Sequence, residues 1–153
     1  MEEITGESFY NYLEDNLYKP LGAGTLTFNP YLNFELDRIV PTEYDSAFRK
    51  QLLHGMVHDE GAAMLGGVSG HAGLFGSAND VAKLMPLYLY DGLYAEEQLI
   101  ASGVVHEYGK CVYCEKGNYR GMGFDRPNKP GDPNGNAAPS VSEKSFGHSG
   151  FTG

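Results

Sequence analysis

The chain has 153 residues, of which 41% are hydrophobic and 20% charged, and its formal net charge is −9 at pH 7. This length suffices for one domain with a hydrophobic core. No run of about 18 apolar residues occurs, so the sequence predicts no membrane span, and the first residues lack the basic and apolar regions of a secretory signal. The lysines and arginines form no cluster, which excludes a nucleic-acid surface and argues against an anionic membrane as partner.

Helix-capping signals dominate the first part of the chain. Residues 2–5 are expected to form the last turn of a helix closed by a left-handed Gly6, so the chain begins in mid-structure. Ser8, Asp59 and Ser77 are each expected to cap a further helix through the side-chain oxygen. The predicted helices run over 8–17, 59–65 and from Ser77 to Asp91-Gly92, the last with a kink at Pro86.

Strands and loops are expected in the remaining segments. Residues 49–53, 119–124 and 145–152 are predicted as strands, and Ser102 as the cap of a short helix to Tyr108. Residues 126–144 are rich in Pro, Asn, Gly and Ser, which predicts a mobile surface loop.

Two glycine-rich segments carry the chemical signal. Residues 66–76 hold five glycines in eleven positions, which favours a folded loop over any regular element. The last eight residues, Phe146-Gly147-His148-Ser149-Gly150-Phe151-Thr152-Gly153, place a basic residue and a hydroxyl before a glycine. On a strand, that order can present the imidazole and hydroxyl to a substrate while the amide after the glycine faces an oxyanion. Taken alone, the tripeptide favours an ordinary edge strand.

The two segments together resemble the serine β-lactamase and penicillin-binding-protein superfamily, in its class C-like and esterase-like branch. The resemblance is carried by Asp59-Glu60-Gly61-Ala62-Ala63-Met64-Leu65-Gly66-Gly67-Val68-Ser69-Gly70-His71-Ala72-Gly73-Leu74-Phe75, Ala78-Asn79-Asp80-Val81-Ala82-Lys83-Leu84, Arg120-Gly121-Met122-Gly123-Phe124-Asp125 and the terminal motif. The helix before Pro20-Leu21-Gly22 matches in the same order. The chain is most similar to serine-hydrolase-like domains attached to family 3 glycoside hydrolases.

The resemblance implies roles for two groups of residues. His148-Ser149-Gly150 occupies the place of the family's Lys-[Ser/Thr]-Gly strand, and the amide of Phe151 would donate to the oxyanion. The histidine there departs from the β-lactamase form and is similar to esterase-like and peptidase-like members. The loop Gly70, His71, Ala72 and Gly73 would pack near the catalytic centre, with no proton-transfer role for His71.

The family's nucleophile motif is absent from these residues. No serine is followed three positions later by lysine, and the nearest approach, Ser46-Ala47-Phe48-Arg49, ends in an arginine that cannot act as a base. Tyr31-Leu32-Asn33 fits the second motif, Tyr-x-Asn, but falls in the wrong order. We therefore expect an α+β fold: the central, mainly helical part of a β-lactamase/transpeptidase-like fold with a few antiparallel strands, truncated at both ends. Residues 1–153 would form a single partial domain.

The expected function is that of a fragment of a β-lactamase-like serine hydrolase, inactive as this chain. Its parent would hydrolyse an ester, amide or β-lactam of small-molecule or peptidoglycan-like type in the cell envelope or periplasm, without a cofactor. Loss of such a nucleophile costs on the order of 10⁶ in turnover. We expect no acyl-enzyme; a fluorophosphonate adduct would instead identify an activated serine such as Ser69 or Ser149.

Three alternatives remain. His54 and His58 lie one helical turn apart and could hold a metal, although Gly55 between them favours a turn with no metal bound. Cys111 and Cys114 could belong to a zinc or redox motif, but the missing second pair favours buried thiols or one local disulfide. A non-catalytic module that self-associates through exposed apolar surface, or that another chain completes, is the alternative function.

Overall fold

A computed structural model describes residues 1–128, 137–138 and 140–151, divided between two units, Met1–Leu87 and Tyr88–Gly153. Both units combine short helices with two-stranded antiparallel pairings. The α+β class predicted from sequence is confirmed at this level. The single partial domain remains a prediction.

The first unit opens with the two predicted helices. Helix α1, Glu2–Thr5, ends at Gly6, whose φ of 75° is left-handed as expected. Helix α2, Phe9–Leu13, begins after Ser8, whose hydroxyl accepts a hydrogen bond from the Asn11 amide. The chain then continues as a π-helix, Glu14–Tyr18, a change of hydrogen-bond spacing that the apolar pattern did not indicate.

Two antiparallel ladders lie in this unit. Strand β1, Thr27–Phe28, pairs with β4, Leu74–Phe75, while β2, Pro41–Asp45, pairs with β3, Gln51–His54. The strand predicted at 49–53 is thus confirmed with shifted bounds. The glycine-rich segment is not wholly irregular, because Leu74–Phe75 lies between Gly73 and Gly76 and forms part of a ladder. Short 3-10 helices, Pro30–Leu32 and Leu36–Arg38, connect β1 to β2.

Two capped helices frame the glycine-rich loop. Helix α3, Glu60–Met64, is capped by the Asp59 carboxylate, which accepts from the Ala62 amide at 2.7 Å. Helix α4, Ala78–Leu89, starts after Ser77, whose hydroxyl accepts from the Asp80 amide. Both predicted caps are confirmed. The helix includes Pro86 in its interior, and the predicted kink remains a prediction.

The hydrophobic core of the first unit is small and aliphatic. Leu21, Leu53 and Leu87 are fully buried, and each such side chain contributes about 1.5–3 kcal/mol through the removal of apolar surface from water. The other buried apolar residues of this unit are Tyr18, Ala23, Leu26, Phe28, Val57 and Ala62.

The second unit contains β5, Leu93–Tyr94, paired with β6, Glu97–Gln98, then α5, Val104–Gly109, and a 3-10 helix, Cys114–Lys116. The cap predicted at Ser102 is wrong. Gly103 occupies the N-cap position with φ 85°, and the Ser102 hydroxyl donates instead to Asp91 at 3.0 Å. A carboxylate brought close by the chain outcompetes the local backbone for that hydroxyl.

The two strands predicted in this unit are also wrong within the described residues. Instead of strands at 119–124 and 145–151, the chain forms isolated antiparallel bridges, Arg120↔Asp125 and Asp125↔Gly147. Glycines interrupt both segments, and Gly123 adopts φ 92°, which is incompatible with an extended ladder. Thr152 lies outside the described residues. So do 129–136 and 139, and the mobile loop predicted over 126–144 therefore remains a prediction.

A disulfide joins Cys111 to Cys114, which confirms the local-disulfide interpretation of that pair. Throughout 1–128, 137–138 and 140–151, no group of three or more His, Cys, Asp or Glu side chains is arranged to hold a metal ion. The helices of the same described residues are too short or too polar to cross a bilayer.

Candidate functional site

Two glycines of the glycine-rich loop lie so close to other atoms that neither position could hold a side chain. Gly67 has φ 82°, and a Cβ there would collide with the Asn29 side chain, whose Nδ2 donates to the Gly66 carbonyl at 2.8 Å. Gly73 has φ 109°, and a Cβ there would collide with the Gly67 carbonyl. Only glycine satisfies both the left-handed backbone and these close approaches. The loop is thus held by close contacts at Gly67 and at Gly73. The residues between these two glycines can direct their side chains to solvent.

His71 lies in a hydrogen-bonded chain with one residue from the loop and one from the α3 cap. Its Nδ1 is 2.6 Å from the Ser69 hydroxyl, and its Nε2 is 3.0 Å from Asp59 Oδ1. Since an ionised carboxylate only accepts, Nε2 carries a proton. In the neutral imidazole Nδ1 is then the acceptor for the Ser69 hydroxyl, an assignment made from the hydrogen-bond partners. The structure therefore assembles a serine, an imidazole and a carboxylate in one line, which we call the Ser69 relay.

The carboxylate of the Ser69 relay is stabilised in its ionised form. The Ala62 amide donates to Asp59, and this bond, followed by the one from His71, lowers the pKa of Asp59 below its ordinary value. Hydrogen bonds to the charged form favour it over the protonated acid. Asp59 is therefore an anion at neutral pH, and it serves two roles, as helix cap and as partner of the imidazole.

Asp80 organises the neighbouring segment before β1. Its buried carboxylate accepts from the Thr25 amide at 2.7 Å, from the Thr25 hydroxyl at 2.6 Å and from Lys83 Nζ at 2.7 Å. The bond from Lys83, then those from Thr25, lower the pKa of Asp80 to about 2. Lys83 also donates to the Gly22 carbonyl. These bonds tie residues 22–25 to the start of α4.

In the second unit, His148 is oriented by Arg120. Nη2 of Arg120 lies 3.3 Å from Nε2 of His148, and Nδ1 of the same ring lies 2.5 Å from the Ser149 carbonyl. A guanidinium can only donate. Nε2 is therefore the acceptor, and Nδ1 carries the proton that it donates to Ser149. For the neutral imidazole, the contacts thus favour the tautomer that is protonated at Nδ1.

The two residues before His148 are each held by contacts with other parts of the second unit. Gly147 exchanges two hydrogen bonds with Asp125, at 2.7 and 3.1 Å. Phe146 packs edge-on against Phe124 and Tyr88, with ring centroids 4.9 and 6.3 Å away. Burial in this cluster raises the pKa of the Tyr88 hydroxyl. These contacts hold the chain just ahead of His148, whereas His148, Ser149, Gly150 and Phe151 are themselves exposed.

The structure brings the predicted site residues together in two separate sets, each within its own unit. Gly70, His71, Ala72 and Gly73 lie on the fixed loop of the first unit, and His148, Ser149, Gly150 and Phe151 follow the anchored bridge of the second. The latter four do not lie on a strand. Their predicted catalytic roles remain predictions.

Sequence reasoning missed two partners. Asp59 was predicted only as a cap, and Arg120 only as part of a motif, yet each sets the tautomer of a histidine. The spacing between Asp59 and His71 is 12 residues, and that between Arg120 and His148 is 28. No local period links residues so far apart, so neither pairing left a signal in the sequence.

Comparison with known proteins was then informative over the whole chain. A sequence model of the family described as Beta-lactamase matches residues 1–153. No solved structure matches the chain significantly.

Several curated proteins are similar to this chain along its full length. Two from Escherichia coli, strains O157:H7 and K12, and one from Salmonella enteritidis PT4 are each named "Putative D-alanyl-D-alanine carboxypeptidase". Each is 33% identical over 171 aligned positions, which include 100% of this chain and 37% of each E. coli protein or 38% of the Salmonella protein. The chain therefore spans little more than a third of the length of these relatives.

Proposed function

The chain belongs to the Beta-lactamase family, and from that premise we propose that it forms the substrate-facing wall of a serine hydrolase that works through an acyl-serine. The substrate class is an ester, an amide or a β-lactam. The relatives are named for D-alanyl-D-alanine carboxypeptidase activity, so a peptidoglycan-like peptide ending in D-Ala-D-Ala is the first substrate to test. No cofactor takes part in this chemistry.

The observation that carries the proposal is the match of one hydrolase family over all 153 residues. The resemblance of the terminal His148-Ser149-Gly150 to the family's third motif, itself a prediction from sequence, agrees with it. The histidine in place of the family's lysine is similar to esterase-like and peptidase-like members. We therefore take an ester or a peptide, before a β-lactam, as the substrate to test.

The nucleophile of the proposed reaction lies outside these residues. No Ser-x-x-Lys occurs between Met1 and Gly153, and the relatives extend well beyond the matched region. We therefore expect a penicillin to leave the intact mass of this chain unchanged.

A chimera tests the proposal directly. The segment of the E. coli K12 relative that aligns with residues 1–153 is replaced by this chain, and acylation is followed with a fluorescent penicillin and with a D-Ala-D-Ala peptide. We expect the chimera to be acylated, and His148→Ala to slow the reaction by about 100-fold or more, as expected for loss of a general acid–base. Ser46→Ala, an exposed serine far along the chain from both motifs, is the matched control. A folded chimera that stays unmodified while the intact relative reacts would reject the proposal.

A second candidate is a module that self-associates or that another chain completes. Exposed apolar side chains favour it: Met64 and Leu65 at the end of α3 are 73% and 66% exposed. Exposed apolar surface that forms a large contiguous patch is typical of surfaces that another protein covers. Sedimentation over a hundredfold concentration range tests self-association, because a monomer at every concentration contradicts it. Addition of the segments of a relative that flank the matched region tests completion by another chain.

A further inference from the structure

We propose that Ser69 is an activated nucleophile in its own right, with His71 as its general base and Asp59 as the residue that positions the base. The proposed reaction is acyl transfer from a small, activated carboxylic ester. This site goes beyond the hydrolase function proposed above, since it uses neither His148 nor the Ser-x-x-Lys motif of the family. It also replaces two expectations from sequence, that His71 has no proton-transfer role and that this chain forms no acyl-enzyme, because the sequence did not show the contacts of His71 with Ser69 and Asp59.

The geometry meets the first requirement of such a site. The Ser69 hydroxyl lies 2.6 Å from His71 Nδ1, within the reach that a nucleophile and its base need. Asp59 lies 3.0 Å from the opposite ring nitrogen, so the carboxylate fixes the tautomer in which Nδ1 is free of a proton. In well-known serine triads the hydroxyl faces Nε2 and the carboxylate faces Nδ1. The two nitrogens exchange roles here, which leaves the proton transfer itself unchanged.

The charge on Asp59 meets the second requirement. The Ala62 amide and His71 hold its pKa below the ordinary value, so the carboxylate stays ionised when His71 takes up a proton. An ionised partner stabilises the imidazolium that forms during attack. Gly61 allows this approach, because its missing Cβ would lie 3.2 Å from Asp59 Oδ1 and 3.7 Å from His71 Nε2.

Access meets the third requirement. The His71 side chain is 58% exposed and Ser69 is half-buried. A Cβ at the adjacent Gly70 would meet no atom within 4 Å, so the backbone next to Ser69 is uncovered on that side. The close contacts of Gly67 and Gly73 fix the backbone on either side of Ser69 and His71. The exposed imidazole and the half-buried hydroxyl therefore allow a small acyl donor to reach Ser69.

The reaction balances with water as the only co-reactant. Ser69 Oγ forms a bond to the ester carbonyl carbon while its proton passes to His71 Nδ1, and the carbon–oxygen bond to the alcohol breaks as that proton returns to the leaving group. Water then attacks the acyl carbon while His71 Nδ1 takes its proton, the bond between that carbon and Ser69 Oγ breaks as the proton returns to Oγ, and the free acid leaves. With a fluorophosphonate, Oγ bonds to phosphorus, fluoride leaves, and the phosphonylated serine persists.

The test uses the 153-residue chain, a fluorophosphonate probe and p-nitrophenyl acetate. We expect one phosphonyl group per chain, located by peptide mapping on the segment that contains Ser69, and a burst of p-nitrophenol. Ser69→Ala should abolish both. Asp59→Asn keeps a good helix cap but removes the charge that positions His71, and it should slow labelling by about 100-fold or more.

Ser102→Ala is the matched control, because the Ser102 hydroxyl bonds to the Asp91 carboxylate with no imidazole between them; it should label at the wild-type rate. Absence of an adduct on the unaltered chain, an adduct on another serine, or equal rates in the wild type and Asp59→Asn would each overturn the proposal. Peptide mapping of the unaltered chain decides the matter even if a variant fails to fold. These results are independent of the chimera experiment, which reports on the family's own nucleophile.

Discussion

The carboxylate of Asp80 accepts both the amide and the hydroxyl protons of Thr25, a residue 55 positions earlier in the chain. The same carboxylate pairs with Lys83 one helical turn along α4. A buried anion with three donors is well compensated, but removal of its charge leaves those donors with a weaker partner.

Asp80→Asn is therefore expected to lower the free energy of unfolding by about 2 kcal/mol at neutral pH, the scale of a hydrogen bond to a charged group. Urea denaturation followed by circular dichroism measures it. Asp37→Asn, an exposed aspartate, is the control and should change stability little.

The effect of Asp80 should depend on pH in a defined direction. Its pKa in the folded protein is about 2, below the ordinary 3.8, so folding favours the ionised form. The stabilisation is complete above about pH 4 and is lost as the pH falls through about 2. The difference between wild type and Asp80→Asn should thus narrow from pH 7 to about pH 3; a difference that widens there would contradict this assignment.

Gly73→Ala should destabilise the glycine-rich loop. The φ of 109° is unfavourable for a residue with a Cβ, and that Cβ would collide with the Gly67 carbonyl. We expect a loss of about 1–3 kcal/mol, measured by thermal unfolding. Gly70→Ala is the matched control in the same loop, because a Cβ there meets nothing within 4 Å. Equal effects of the two substitutions would show that the loop is not fastened as described.

Arg120→Gln should allow the His148 ring to adopt either tautomer. The guanidinium can only donate, whereas a shorter neutral amide no longer requires Nε2 to be the acceptor. Nitrogen chemical shifts of the His148 ring measure the change: in the wild type, Nε2 should resonate as a non-protonated nitrogen, and in the variant the two nitrogens should move towards averaged values. Arg38→Gln is the control, because the Arg38 side chain lies over the Phe34 ring. An unaltered His148 spectrum in Arg120→Gln would refute the orienting role.

Reduction of the Cys111–Cys114 disulfide should loosen the segment that leads to Arg120. The bridge closes a short loop, beside which the Val112 amide donates to the Arg120 carbonyl. Loop-closure entropy gives a stabilisation of about 2 kcal/mol for a ring of this size. We expect faster tryptic cleavage at Lys110 and Lys116 after reduction, with cleavage at the exposed Lys50 in the first unit unchanged as the internal control.

Local chemistry explains which parts of the fold could be predicted from sequence. The left-handed Gly6, the caps Ser8 and Asp59 and the β3 strand each depend on residues within a few positions of one another, and each is present in the structure. The family could also be recognised, because its motifs are short and occur in a fixed order.

Predictions failed where a distant partner was decisive. Ser102 carries a good capping side chain, but Asp91 accepts its hydroxyl proton, and Gly103 caps the helix instead. Around His148 the chain was expected to be a strand, and the structure shows single bridges punctuated by glycines. The alternation of hydrophobic residues cannot distinguish a strand from isolated bridges, because it does not show which segment of the chain lies opposite to pair with it.

The sequence by itself determined the family, the α+β class, the absence of Ser-x-x-Lys and the helix caps Ser8, Asp59 and Ser77, since all of these follow from neighbouring residues and their order. Only the tertiary structure decided the tautomers of the two histidines, because Asp59 meets His71 across 12 residues and Arg120 meets His148 across 28. A hydrogen bond requires two groups within about 3 Å, and which groups meet that closely depends on how the whole chain folds around them.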